Sequence, residues 1–500
     1  MKTKLKAVRV ILFLLCTVML IPLLAACNNE EAPAATEANT TVGFTGPETD
    51  ENGKIKDNVP DLDFGMTFDL IASENQKQYY YALASDVDNV KAAIYDRNIT
   101  VEDRLGIEIK WTFMPCFNTE DKIAFSTAIE NDGKVNAGLD AAIDASVSYN
   151  LVPYHISSKG ALQNLNKTKY IDLTSPWWPD EYLENMLYRE RVYALVDNVS
   201  VGTLTNLSCI FFNNEMLEAR KIESPYDIEA RNEWTVPKLR ELCKDTYEDT
   251  DNNSKKSVGD TFGICTSTYA RVTCWYYAAG IRMSEINEDG EMVLTGNDTA
   301  KIDTALKTIS TLFDNDNGLI NDSEAYVMFE DRRAYFYLSV LSMATDMNKK
   351  EIEIDYGVIP NPKLNSEQKR YYTHMPNAHD AWCVPIQATN KDCSSAFLEL
   401  MASEAYRQVN DVFFEQNLKI RYAPDQKLAA MYDKIRESIV FDYVYIHKES
   451  TLTTAPDDSL RNCIKDPVTY NWQTEWDRIG SALELNFRRL MDAYNAVRDE

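Results

Sequence analysis

From residue 62 onward, short apolar runs alternate with stretches in which apolar side chains recur every three or four positions, the pattern of strands separated by amphipathic helices. A strand is predicted over 66–72, after which Val90, Ile94, Val101 and Leu105 fall at helical spacing and Gly106 supplies a C-terminal stop. Residues 107–113 alternate and carry β-branched and aromatic side chains, a helix is predicted over 122–131, and 139–145 reads as a compact apolar strand. A second series opens at 209–213, an apolar strand that runs into a helix over 214–220. Thr235 has the character of an N-cap, with Pro237 in the first turn of a helix that reaches Leu242. Ile302, Ala305, Leu306, Ile309, Leu312 and Phe313 form one apolar stripe. Further strands are predicted at 356–359 and 382–386, and helices at 395–403 and 479–497. The fold class is therefore α/β, and two such series in one chain predict two lobes with a cleft between them, where ligands tend to bind.

The start of the chain follows a different pattern. Lys2, Lys4, Lys6 and Arg9 precede an apolar run over 10–24, and Ala25, Ala26 and Cys27 stand just before the composition turns polar. That order is the one of a secretory signal, and LLAAC resembles the bacterial lipobox, in which the cysteine is lipidated and becomes the first residue. Residues 1–26 are expected to be a lipoprotein signal peptide and Cys27 the lipidated residue. The duller reading is an uncleaved membrane anchor, but the run falls short of the roughly 20 residues that cross a bilayer, and Pro22 interrupts it. Residues 28–60 are rich in Asn, Glu, Ala, Thr and Pro, with too few large apolar side chains to offset the entropy of ordering. The span 27–61 thus reads as a lipidated cysteine and a disordered tether of about 30 Å r.m.s. reach. The body is expected to be extracytoplasmic, held to the outer face of the bacterial cytoplasmic membrane.

Charge and cysteines narrow the function further. The chain has 78 acidic against 51 basic side chains, a formal net charge of −27, which would repel a phosphate backbone and argues against a nucleic-acid partner. It contains no glycine-rich phosphate loop, GxSxG elbow or HExxH zinc motif, so no enzymatic activity and no cofactor is expected. With Cys16 in the signal and Cys27 lipidated, Cys116, Cys209, Cys243, Cys265, Cys274, Cys383, Cys393 and Cys463 remain. No CxxC pair suggests a metal site, and buried free thiols are favoured over disulfides in a body this large.

Several segments resemble those of family 1 extracellular solute-binding proteins, the sugar receptors of ABC importers. KGALQNL from Lys159 is similar to the family's G-x-L-x-D-L stretch, RVYALV from Arg191 to its short hairpin, and CIFFNNEML from Cys209 to its crossover strand, with Phe212 and Asn214 departing from Tyr-Asn-Lys. EWTVPKLREL from Glu233 resembles the W-T-x-x-E-L start of a helix, and MFEDRRAYF from Met328 resembles F-x-x-G-x-A-A-F without its glycine. YGVIPNPK from Tyr356, and DAWCVP followed by a helix ending in MASEAYRQV, complete the series. Each motif alone is weak, and their order along 62–500 carries the likeness. The resemblance implies a two-lobe, periplasmic-binding-protein-like type 2 clamp with multiple interlobe crossovers. Lobe 1 would take 62–207 plus 356–403, and lobe 2 would take 208–355 plus 404–500. It also implies a monomer that captures a carbohydrate, an oligosaccharide by preference, and hands it to ABC importer permease subunits. A lipid-anchored glycoside hydrolase and a ligand-sensing subunit of a membrane receptor are the alternatives.

A sugar ring has apolar C–H faces and a hydroxyl rim, so its site needs aromatic planes and hydrogen-bonding side chains. Ligand-binding candidates are Trp275, Tyr276 and Arg271 in the helix after the 262–266 strand, Asp380 and Trp382 in the terminal strand, and Tyr149 just past the third strand. Core packing is the competing role for each. Trp177 and Trp178, in SPWWP, are flanked by prolines and read as an ordered surface loop. Asp249, Asp251, Asn253, Lys255, Ser257 and Asp260 fall at the ligand positions of a calcium loop. Ser254 replaces its glycine, Asp260 its bidentate Glu, and Lys255 and Lys256 oppose a cation, so a solvated acidic turn is favoured. His374, His379 and Asp380 could be imagined as a metal cluster, but Pro376 breaks their spacing.

Overall fold

The structure of the protein is a computed structural model that describes residues 48–131, 142–267, 270–314, 317–320, 324–376, 379–418, 426–447 and 455–498. The expected signal peptide over 1–26, Cys27 and the first part of the expected tether lie outside the described residues. Nine strands build two open sheets: β1 (Met66–Ser73), β2 (Ile107–Met114), β3 (Ala145–Tyr149), β4 (Ser208–Asn213), β5 (Phe262–Thr266), β6 (Gly318–Ile320), β7 (Ala334–Val340), β8 (Tyr356–Ile359) and β9 (Asp380–Cys383). The first sheet has the order β9-β3-β1-β2 and the second β8-β4-β7-β5-β6. In the first, β1 is parallel to β2 and β3, while β9 runs antiparallel to β3. In the second, β5 is parallel to β6 and β7, and β4 is antiparallel to β7 and β8.

Helices pack against the sheets, and β4, β5 and β7 are buried along their whole length, whereas β2 alternates buried and exposed residues at its start. The helices include α1 (Asn89–Leu105), α2 (Thr119–Glu130), α3 (Ala270–Ala278), α4 (Lys391–Glu404), α5 (Gln426–Glu437) and α6 (Trp472–Ala496). The Asp88 side chain caps α1 by accepting from the Lys91 N–H, and Gly106 ends it at φ 59°. A Cβ at Gly106 would stand 2.9 Å from the Asp63 Cα, so both the backbone angle and the space demand glycine. Phe397 of α4 stacks on Phe68 of β1 with centroids 4.4 Å apart, which fixes α4 to the first sheet. The predicted cap Thr235 accepts from the Lys238 N–H, and Ile302, Ala305, Leu306 and Ile309 are buried as the stripe requires.

Three expectations change. The third strand is Ala145–Tyr149, small and polar in alternation, rather than the apolar run 139–145, part of which lies outside the described residues. The lobe boundary also moves: Tyr356–Ile359 pairs antiparallel with β4, so the start of 356–403 belongs to the second sheet, and the chain changes sheets between Ile359 and Asp380. On the way, Thr373 and His374 pair in parallel with Ile439 and Val440. Finally, the tether does not run to residue 61. The described residues 48–56, with the turn at 287–291, form a small unit in which Thr49 pairs with Ile55. The larger unit begins at Asp57, whose carboxylate is buried and accepts from Arg104, Arg407 and Ser403. Burial alone would raise its pKa, but the hydrogen bonds and charges of Arg104 and Arg407 hold it at about 2.

Candidate functional site

In open α/β sheets, ligand-binding groups gather outside the carboxyl ends of the parallel strands. At those ends this protein leaves buried polar atoms without partners. On the first sheet they are Ser73 Oγ at the end of β1, Ser148 Oγ near the end of β3, and both carboxylate oxygens of Asp380 at the start of antiparallel β9. On the second they are Thr266 Oγ1, the last residue of β5, and Asn361 Oδ1, just past β8. Buried polar groups are nearly always paired, so a set of them at one kind of position marks where a bound solute would complete the hydrogen bonding.

Asp380 is the most demanding of these. It is 2% exposed, and burial raises its carboxyl pKa well above the usual carboxylate range. A Cβ at Gly202 would strike its Oδ2, so the carboxyl presses on bare backbone. Cross-strand pairing sets Asp380 opposite Tyr149, a half-buried residue with Lys122 Nζ 5.4 Å from its ring centroid. Next to Asp380, His379 Nδ1 lies 3.0 Å from the Pro376 carbonyl, which can only accept, so Nδ1 carries the proton and the unpartnered Nε2 is an acceptor. Burial lowers the His379 pKa to about 4, which keeps the ring neutral. The edge of the first sheet therefore offers the His379 Nε2 acceptor and a carboxyl that, when neutral, accepts through its carbonyl oxygen and donates through its O–H, a set that suits the hydroxyls of a neutral guest.

The other candidate side chains sit as follows. Trp382 is 3% exposed and its ring meets Tyr80 and Phe397 edge-on, at 5.6 and 6.1 Å. Its backbone pairs with Leu195. In α3, Trp275 is 1% exposed with its ring edge-on to Phe313 at 6.1 Å, and its Nε1 has no partner. Tyr276 is fully buried and its hydroxyl donates to Asp457 at 3.0 Å. Arg271 is half-buried at the start of α3, where its charge acts on the thiols of Cys209 and Cys274. The structure thus joins Asp380 to Tyr149 and places Trp275, Tyr276 and Arg271 on α3, the helix that follows β5 of the second sheet. Ser73, Ser148, Thr266 and Asn361 were missed by the sequence reading, because a single hydroxyl or amide at a strand end leaves no pattern.

In the acidic loop, ligand oxygens of Asp249, Asp251 and Asp260 come within 4.8 Å of one another. Much of this capacity is used internally. Asp260 accepts from the N–H groups of Thr250 and Ser257, Asp251 from Asn253 and Ser257, and Asn253 Oδ1 from the Lys255 N–H at 2.6 Å. The eight cysteines from Cys116 to Cys463 are free and buried.

Two open sheets with shared crossovers and ligand-facing strand ends define a two-lobe binding protein, and comparison with known proteins specifies which. Over residues 126–411, more than half of its length, the chain matches the family described as bacterial extracellular solute-binding protein, and it belongs to that family. It is therefore a binding protein, and the hydrolase alternative is set aside. Among solved structures, the sugar-binding protein MalE from the phytopathogen Xanthomonas citri is 12% identical, with a TM-score of 0.56 over 86% of this chain and 99% of that one. A family 1 extracellular solute-binding protein from Bifidobacterium longum subsp. infantis is 11% identical, with a TM-score of 0.51 over 85% and 99%. The maltose/maltodextrin-binding domain MalE from Bdellovibrio bacteriovorus, bound to maltotriose, is 16% identical, with a TM-score of 0.50 over 85% and 100%. At such low identity the superpositions show the shared fold alone. No curated protein sequence matches the chain. Among the described residues no helix is long and apolar enough to cross a membrane.

Proposed function

We propose that this protein captures a neutral, hydroxyl-rich solute, an oligosaccharide by preference, and presents it to the permease of an ABC importer while tethered through a lipid on Cys27. The observation that carries the reading is the unpartnered Asp380 carboxyl, buried beside the neutral acceptor His379 Nε2. Sugar hydroxyls would donate to both, and Tyr149 would cover a ring face. Thr266, Asn361 and Trp275 would meet the guest from the second lobe. The sugar-binding neighbours share this fold, which supports the solute class.

A thermal-shift screen of the protein against mono- and oligosaccharides tests it. A true ligand at 100 times its Kd should stabilise the protein by about 2.7 kcal/mol. If no carbohydrate shifts the melt, or if reducing ends accumulate in the same samples, the proposal fails. Radiolabelled palmitate incorporation that survives in Cys27→Ser would refute the anchor.

A further inference from the structure

The SPWWP segment is not the surface loop its prolines suggest. Trp177 and Trp178 are 0% and 3% exposed, and their indole N–H groups donate to the two oxygens of Glu399, each at 3.0 Å. The Asp172 N–H adds a third bond to Glu399 at 3.3 Å. Glu399 belongs to α4, which stacks on β1, so the segment is rooted in the first lobe.

Beyond this root the segment reaches the second lobe. Arg370 Nη2 lies 3.0 Å from Glu181 Oε1 and 2.8 Å from Glu184 Oε2. Arg370 also stacks on Tyr372 at 5.3 Å, and Arg282 stands over the same ring at 4.8 Å, so the charges of both guanidinium groups act on the buried Glu181. These partners are held to the second lobe, because Gln368 Nε2 donates to the Ala278 carbonyl at the end of α3 and His374 stacks on Tyr277 at 4.2 Å. A second link is Arg436 of α5, whose guanidinium donates to the Pro176 carbonyl at 3.4 Å and to Asn198 Oδ1 at 3.2 Å. None of these groups belongs to the strand-end set assigned to the solute.

We infer that residues 172–186 form a latch, rooted on Glu399 through Trp177 and Trp178, whose Glu181 and Glu184 grip Arg370 and so set how far the lobes open and how tightly solute is held. The inference rests on the two-lobe receptor reading. A bond present only when the lobes are together favours that state, and solute affinity scales with the population of the competent state. The latch thus tunes affinity without touching the guest.

The test uses the full chain, with Cys16 and Cys27 changed to Ser and spin labels on Glu108→Cys and Lys301→Cys, exposed positions on the two lobes; the eight thiols from Cys116 to Cys463 are buried and will not compete for label. In Arg370→Ala the interlobe distance of the solute-free protein should lengthen. The Kd for whichever sugar stabilises the wild type should rise about tenfold, the equivalent of about 1.4 kcal/mol. The sugar-saturated distance should stay unchanged, and Arg370→Lys should recover part of the effect. If Arg370→Ala fails to fold, Glu184→Gln, at a half-exposed position, should show the same change at smaller size. An unaltered solute-free distance in a folded variant overturns the latch. A lengthened distance in a protein that binds no sugar supports the latch and refutes the proposed function alone.

Discussion

A buried carboxyl group costs stability as it ionises, and Asp380, whose oxygens have no partner, and Glu399, which accepts from Trp177, Trp178 and the Asp172 N–H, are two such groups placed for different ends. Burial pushes Glu399 up to about 8 against the hydrogen bonds from Trp178, the Asp172 N–H and Trp177. The unfolded chain loses that proton near 4.5, so the stability Glu399 contributes is complete below 4.5 and is lost as pH rises to about 8. Glu399→Gln should flatten this decline in melts between pH 5 and 9. At the acid end it should cost about 1 kcal/mol, because an amide cannot accept from both indoles. His379 and His447, lowered by burial to about 4 and about 3, act in the opposite sense: each loses stability as pH falls below 6.5, where the unfolded ring protonates. Asp380→Asn should raise the unliganded melting temperature above pH 7 while weakening sugar binding by a factor of about ten or more. A variant that binds sugar as the wild type does removes Asp380 from the site.

At the scale of elements, the helix stops and caps were legible and the strand ends were not. Gly106 and Thr235 sit where their local chemistry demands, so the sequence located the end of α1 and the start of the helix after Thr235, while the Asp88 cap of α1 appears only in the structure. Gly106→Ala should cost at least about 2 kcal/mol in denaturant unfolding, from the left-handed backbone and the clash with Asp63. A smaller loss would mean that the turn before β2 can relax. The third strand was misplaced because Ala145, Ser146 and Ser148 carry no strand signature and owe their pairing to β1 and β9 on either side. Trp177 and Trp178 were misread for a related reason. Their partner Glu399 lies far along the chain inside an apolar helix, and a carboxylate buried there looks from the sequence like one exposed turn. Of the candidate site, Asp380 and Tyr149 were each named from the sequence, but their pairing was not, because the third strand was ended at Ala145 and the terminal strand begun at Trp382. The strand-end hydroxyls could not be read at all.

For the whole molecule, the larger unit begins at Asp57, which sits between Arg104 of α1 and Arg407 beyond α4. Removing residues 1–56 should leave the melting temperature of the body within a degree or two, whereas Asp57→Ala should lower stability by about 2–3 kcal/mol because two arginines lose their shared partner. Equal losses from both changes would place the boundary elsewhere. The Asp57 contribution is present above the ordinary carboxylate value of 3.8 and disappears as pH falls through about 2, so it adds to the acid sensitivity of the two histidines. The eight sequestered thiols have a further consequence for anyone who heats this molecule. Sealed inside the native state they are shielded from air, but each excursion to the denatured state releases all of them at once, at a pH where thiolate forms readily. Scrambled cross-links would then trap the denatured chains, so repeat scans should superimpose in the presence of a phosphine reductant and decay without it.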